Sequence, residues 1–347
     1  MEGLERLRLQ LDEQIPEKTL ESTMLLATWN VREFDSPSYG DRIPDAYYYI
    51  AEIMSRFDIL AVQEVRRDIS ALKKAVSLLG WPWRYVVTDT TEGSPGNDER
   101  LAFVYDSRKV HFDGLAGELV LPPLETKENG KTVYKPVSQI ARTPYTAGFR
   151  AGWTTFQLAT VHIVYGEETA DDPPRVEEIR QVAEFLARRA DEEDRWAANL
   201  VLLGDFNIFA TTDATMKAIT DNGWVVPPSL QTIPGSNVPK NKHYDQIAFR
   251  PNPHWFDTAG HAGVFDFYES VFREEDQDLF IANMGPAYEN NSKGEPRNEA
   301  GKNQYYRTYW RTFQMSDHLP MWLELKIDYS TEYLAGLRAE PAPPPDA

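Results

Sequence analysis

Unbroken or alternating apolar runs and helical stripes take turns along the chain. The segments MLLATWNV from Met24, DILAVQEV from Asp58, RYVVTDT, RLAFVYD, WTTFQLATVHIV, LVLLGDFNIF, YDQIAF and MWLELKI have the pattern of strands. DAYYYIAEIMSRF, DISALKKAVSLLG and RVEEIRQVAEFLARRADEE have the pattern of helices. Gly80 closes the second as a C-cap, and the third puts Val176, Ile179, Val182, Ala183 and Leu186 on one stripe. Residues 1–20 read as a short amphipathic helix with Leu4, Leu7 and Leu11 aligned. Strands interleaved with helices, and no linker between them, predict one α/β domain with helices outside sheets.

Three stretches break the pattern. DTTEGSPGNDE is a turn-rich surface loop, GPAYENNSKGEPRNEAGKNQ an exposed insertion, and EPAPPPDA a proline-rich end. The expected organisation is therefore a helical extension over 1–22, a domain over 23–328 with an insertion near 269–312, and an unstructured tail over 329–347. Within the insertion, QYYRTYWRTF interleaves aromatics with Arg307 and Arg311. A strand or hairpin burying alternate residues is the first reading of it, and a base-stacking, backbone-clamping surface the second.

Several strands carry polar residues at their ends. The run before Asp205 reads as fully buried, yet it continues into Asp205 and Asn207. A buried carboxylate is costly without a partner. Caps and turns explain such a residue taken alone. The feature recurs, however, at Asn30, Glu64, His162, Asp245, Asp317 and His318. Ends of neighbouring strands meet at one edge of a sheet, so these side chains form a candidate site. Carboxylates and amides suit Mg²⁺, with Mn²⁺ or Ca²⁺ as alternatives, better than zinc. The two histidines are then acid–base groups, and phosphodiester hydrolysis is the chemistry that needs such a set.

Composition narrows the setting. The chain has 347 residues, no cysteine and a formal net charge of −18, which excludes disulfides, thiolate catalysis and Cys-ligated zinc. The acidic excess argues against a generic nucleic-acid coating protein but leaves room for a nuclease with a local arginine cluster. No window is apolar enough to cross a membrane. The charged start and lack of cysteine point to a cytoplasmic setting, with secretion after removal of a leader as the alternative. No obligate protein partner is evident.

The blocks WNVREF, ILAVQEVRRDISALKKAVSLL, YVVTD…NDERLAFVYDSRKV, ARTP, TVHI, VLLGDFN, YDQI, FDF (Phe265 to Phe267) and SDHLP run in that order from Met24 to Ile327. Together they resemble the endonuclease/exonuclease/phosphatase superfamily, most closely its deoxyribonuclease I-like members. The resemblance implies a four-layered α/β sandwich, two mixed sheets face to face with helices outside. It implies Glu64 as principal metal ligand, with Asn30 and Asp317 near the same cation. Asp205 and Asn207 would orient the water and the scissile phosphate. His162 would pair with Glu99 as general acid or base, and His318 with Asp245. Arg142 would grip phosphate, Tyr244 and Arg32 would be lesser contacts, and Arg66 would reach a groove of the substrate. DNA is the implied substrate, cut to 5′-phosphate and 3′-hydroxyl ends.

Two departures stand out. The disulfide of those relatives has no counterpart, and Asn97 stands where a tyrosine would stack on a DNA sugar. A phosphatase or phosphodiesterase acting on a phospholipid, inositol phosphate or nucleotide is the alternative. A catalytically silent binding module comes third, since every ligand and histidine position is kept. Arg66, Arg67 and Arg150 are also explained as solvated charges, and His111, His243, His254 and His261 as loop or surface residues, with His243 near the site rim.

Overall fold

The structure is a computed structural model and describes residues 1–36, 40–92, 96–193, 195–196, 198–250 and 255–339. Six strands form one sheet: β1 (Thr23–Phe34), β2 (Ile59–Arg66), β3 (Trp83–Val87), β4 (Glu99–Asp106), β12 (Thr258–Val264) and β13 (Met321–Lys326). Their order is β12-β13-β1-β2-β4-β3. Five strands form the second: β5 (His111–Glu118), β8 (Tyr145–Ala151), β9 (Thr154–His162), β10 (Asn199–Asp205) and β11 (Asp245–Arg250). Here the order is β11-β10-β9-β8-β5. Both sheets are mixed, since β1 runs parallel to β2 and β9 parallel to β10 among antiparallel neighbours. A hairpin of β6 (Leu124–Glu128) and β7 (Lys131–Lys135) stands apart from them.

Alternation along β1 sorts its side chains between two cores. Met24 and Leu26 enter the space between the sheets, while Leu25, Ala27 and Trp29 enter the outer layer. Helices α1 (Glu2–Gln14), α2 (Pro44–Ser55) and α3 (Ser70–Leu79) cover that outer layer through Leu7, Leu11, Ile50, Ile53 and Leu72. Helices α4 (Pro173–Ala190) and α5 (Ala214–Thr220) cover the other sheet through Ile179, Val182, Leu186, Met216 and Ile219. The expected sandwich of four layers is thus the observed one. Phe149 joins the sheets at its centre, with ring centroids 5.5 Å from Phe103 and Tyr105 on β4 and 6.1 Å from Phe156 on β9.

The amino-terminal segment is built into the domain. Beyond the burial of Leu7 and Leu11, Lys18 lies 3.2 Å from Asp58 and 3.3 Å from Asp106. Asp58 also takes Lys109 at 2.7 Å and the Leu25 amide at 2.8 Å, so one buried carboxylate ties four parts of the chain.

Three expectations need correction. QYYRTYWRTF is helical, a π turn over Tyr305–Trp310 continuing into Arg311–Gln314. Its buried aromatics Tyr306, Trp310 and Phe313 follow three- and four-residue spacing, a period that the interleaved polar residues disguise. Arg311 is no backbone clamp: it is buried, with Nη1 donating to the Phe272 carbonyl at 3.2 Å and its guanidinium over Tyr268. Beyond Ile327, Ser330–Ala339 forms a helix where an unstructured tail was expected, and the proline-rich end lies outside the described residues. Strands β5, β8 and β12, rich in Gly and Ala, carry too little apolar rhythm to have been read from sequence.

Two outcomes test this architecture. Phe149→Ala lowers unfolding free energy by about 3–5 kcal/mol in denaturant titration, because the rings around it cannot collapse into the space left. Burial works against the charge of Asp106, yet Arg108 and Lys18 hold its carboxyl down to about 2. A folded-state value below the unfolded one stabilises at neutral pH, and that contribution is lost as pH falls from about 4 towards about 2. Asp106→Asn therefore destabilises by about 1–2 kcal/mol at pH 7, and equilibrium unfolding shows the gap to wild type closing over that acid range.

Candidate active site

The inter-sheet core ends in a polar layer. Thr28, Gln63 and Thr160 are buried, and the Gln63 amide donates to Thr160 Oγ1 at 2.9 Å and Thr28 Oγ1 at 3.1 Å across the two sheets. Beyond it the strand ends open into a cleft. Continuing the inward face of Met24, Leu26 and Thr28, Asn30 is delivered there by alternation alone.

Glu64 arrives differently. By alternation it belongs with Leu60 and Val62 on the outward face. The register of β2 slips between Val62 and Val65, and Glu64 takes a φ of 59°. This bulge re-aims the carboxylate inward, where Oε1 accepts from Asn30 Nδ2 at 3.0 Å and Oε2 from the Glu33 amide at 2.7 Å. Burial, reinforced by Glu99, pushes its carboxyl above the usual range. The Oδ1 atom of Asn30 beside it is buried and has no hydrogen-bond partner among the described residues.

In the second sheet, His162, Asp205 and Asp245 stand opposite one another on β9, β10 and β11. Gly204 makes this possible: its φ is 133°, and a Cβ would lie 2.2 Å from the Val161 carbonyl oxygen. Asp205 Oδ2 accepts from Asn30 Nδ2 at 2.9 Å and faces two imidazoles, His162 Nε2 at 3.5 Å and His318 Nε2 at 3.6 Å. Each ring is held from behind by a second carboxylate. His162 Nδ1 pairs with Glu99 at 2.6 Å, and His318 Nδ1 with Asp245 at 2.9 Å. Asn207, at a φ of 54°, folds its amide N–H onto Asp205 Oδ1 at 2.9 Å and anchors its side chain on the Ile163 carbonyl at 2.8 Å.

Burial opposes protonation of both histidines, but the carboxylates win. Glu99 raises His162, and Asp205 with Asp245 raises His318 well above the ordinary imidazole value. Burial likewise opposes the charge of Glu99, yet His162, Arg142 and Asn97 hold its carboxyl down to about 2. Asp245 is pushed up by burial, against the pull of His318.

The arginines divide. Arg142 lies with Nε 3.0 Å from Glu99 Oε2 without hydrogen-bond alignment, and its buried Nη1 has no hydrogen-bond partner among the described residues. Arg66 is engaged by Glu99 at 3.5 Å and Glu33 at 3.4 Å. Arg32 bonds Thr312 and sits 3.9 Å from the half-exposed Asp317. Tyr244 stacks on His318 with centroids 5.2 Å apart, and Asn97 donates to Glu99 at 2.7 Å. Asn97 therefore supports the His162 pair where a tyrosine was absent. His261 pairs with Glu324 on the far strands, away from the site.

Two supporting residues were missed in the sequence. Ser316 donates to the Asn30 carbonyl at 2.6 Å and accepts the His318 amide at 3.0 Å, locking the two strand ends together. Its place directly before Asp317 and His318 was the available sign. Arg42, fully buried, donates to the Glu33 carbonyl, Asp35 and the Gln314 carbonyl and stacks on Phe313, binding the end of β1 to the helical turn Arg311–Gln314. Nothing local in the sequence distinguishes it from a surface arginine.

With this geometry in place, the matches to other proteins fall into order. The sequence matches the Endonuclease/Exonuclease/phosphatase family over residues 27–263, and the chain belongs to that family. A protein named deoxyribonuclease from Thioalkalivibrio sp. (strain K90mix) is 30% identical over 249 residues, which make up 70% of this chain and 62% of that protein. The match thus spans less than two thirds of the relative's length. An endonuclease/exonuclease/phosphatase from Bacteroides vulgatus shares the fold at TM-score 0.53 and 16% identity, covering 90% of this chain and 100% of that one. The human Nocturnin catalytic domain with bound sulfate anion does so at TM-score 0.51 and 13% identity, over 87% and 94% of the two chains.

The paired imidazoles give a direct test. In metal-free protein, the His318 ring titrates above 6.5 by NMR, and Asp245→Asn moves its midpoint down, since one of the carboxylates favouring the cation, Asp205, Asp245 and Asp317, is gone.

Proposed function

We propose that the chain is a divalent-metal-dependent phosphodiesterase, and specifically a DNA endonuclease that cuts by in-line attack of water to leave 5′-phosphate and 3′-hydroxyl ends. The observation that carries this reading is Asp205 Oδ2 set between two imidazoles, each backed by its own carboxylate. Family membership supports phosphoester hydrolysis, and the deoxyribonuclease name of the Thioalkalivibrio relative favours DNA.

Asn30, Glu64 and Asp317 would hold the cation, with Mg²⁺ first and Mn²⁺ or Ca²⁺ as alternatives. The fit rests on hard oxygen donors and on the buried, unpartnered Asn30 Oδ1 next to the Glu64 carboxylate. An ion such as Mg²⁺ keeps waters and takes further ligands from a phosphate, so it needs few donors from the protein. When bound, it would neutralise charge on the non-bridging oxygens.

Asp205, whose Oδ2 lies 3.5 Å and 3.6 Å from the two Nε2 atoms, orients the attacking water and takes its proton. His162 and His318 then act as Nε2–H donors, one to a non-bridging oxygen and the other to the leaving 3′ oxygen. Glu99 and Asp245 fix the rings with Nε2 turned inward. Arg142 offers its unpartnered Nη1 to the phosphate. Tyr244 and Arg32 line the approach, and Arg66 reaches the substrate from the rim.

Plasmid digestion tests the reading. Wild-type protein nicks and linearises supercoiled DNA with Mg²⁺ or Mn²⁺ and not with EDTA. Glu64→Ala and His318→Ala each lower the rate by about 10²–10⁴-fold while circular dichroism stays native, and His318→Ala also melts lower because it leaves Asp245 buried without its partner. Intact plasmid, with phosphate released from nucleotides, inositol phosphates or phospholipid, would move the substrate to the alternative class.

A further inference from the structure

The insertion opens a groove of about 680 Å³ lined by Pro286, Asn290, Asn291, Arg297, Tyr305 and Tyr309. Tyr305 and Tyr309 form one wall as a stacked pair, centroids 5.4 Å apart and planes 25° from parallel. Tyr309 is 40% exposed, and Arg297 lies over the Tyr305 ring at 4.9 Å. The groove is connected to the candidate active site. The Arg32 guanidinium is 5.9 Å from the Tyr309 ring, and its Nε is 3.9 Å from Asp317. A chain that leaves a phosphate at the site along this edge meets Arg32 and then Tyr309.

We propose that this groove receives an unpaired nucleobase from the strand whose phosphate occupies the active site, a proposal that rests on the nuclease reading. The chemistry of the walls selects the occupant. Tyrosine faces stack on any base, and the Asn290 side chain can hydrogen-bond a base edge, while Asn291 is committed to its own loop through Glu295 and the Lys293 amide. A base held in a duplex presents only its edges, so the occupant must be splayed from its partner. Charge points the same way. With a net charge of −18, the protein repels a polyanion at long range, so stacking would add affinity that net charge does not supply.

The test measures binding of a labelled single-stranded oligonucleotide by fluorescence anisotropy in EDTA. The same measurement is made with an oligonucleotide of equal length abasic throughout. Tyr309→Ala weakens binding of the intact strand about five- to fifty-fold, Tyr309→Phe retains it, and neither changes binding of the abasic strand. Melting temperatures confirm that the variants fold. Equal binding of the intact strand by wild type and Tyr309→Ala overturns the proposal. So does an equal loss on both strands, or no binding by wild type. The nuclease reading fails separately, if wild type cuts no polynucleotide with any divalent metal. The anisotropy result decides the groove in either case.

Discussion

A carboxylate cannot be taken out of water alone, and the arrangement at the strand ends follows from that constraint. Asp205 is buried at the end of an apolar strand, and what surrounds it is a set of donors drawn from both sheets: one amide from β1, one imidazole from β9 and one from the turn before β13. Those imidazoles in turn need partners, which Glu99 and Asp245 provide. Charge alternates outward from one oxygen atom, acid to base to acid. Removing any member leaves the next one buried and uncompensated.

The sandwich was legible because its core strands are written in plain period. β1, β2, β4, β9, β10, β11 and β13 are apolar runs, and the polar residues that interrupt their ends are the site residues themselves. Asn30 and Asp205 could be placed by counting along a strand. Glu64 could not, because alternation assigns it to the wrong face and only the bulge corrects this. Its position at a strand end had placed Glu64 in the candidate set, and the bulge supplies the inward aim that alternation denies it.

What escaped the sequence was tertiary in origin. The π turn at Tyr305–Trp310 hides a helical burial pattern among polar residues, so propensity favoured a strand. Arg42 and Ser316 derive their importance from partners more than 270 positions away, Gln314 for the first and Asn30 for the second. Gly-rich edge strands such as β5 gain their conformation from a neighbour and carry little signal of their own.

The anchoring of Arg42 bears on how this chain can change over evolutionary time. A guanidinium stacked on Phe313 and bonded to the backbone at Glu33 ties the helical turn Arg311–Gln314 to the strand that carries Asn30. A substitution that removes Phe313 or shifts this turn leaves a cation in the interior with fewer partners and loosens the end of a central strand. Arg42 and this turn can therefore change only together.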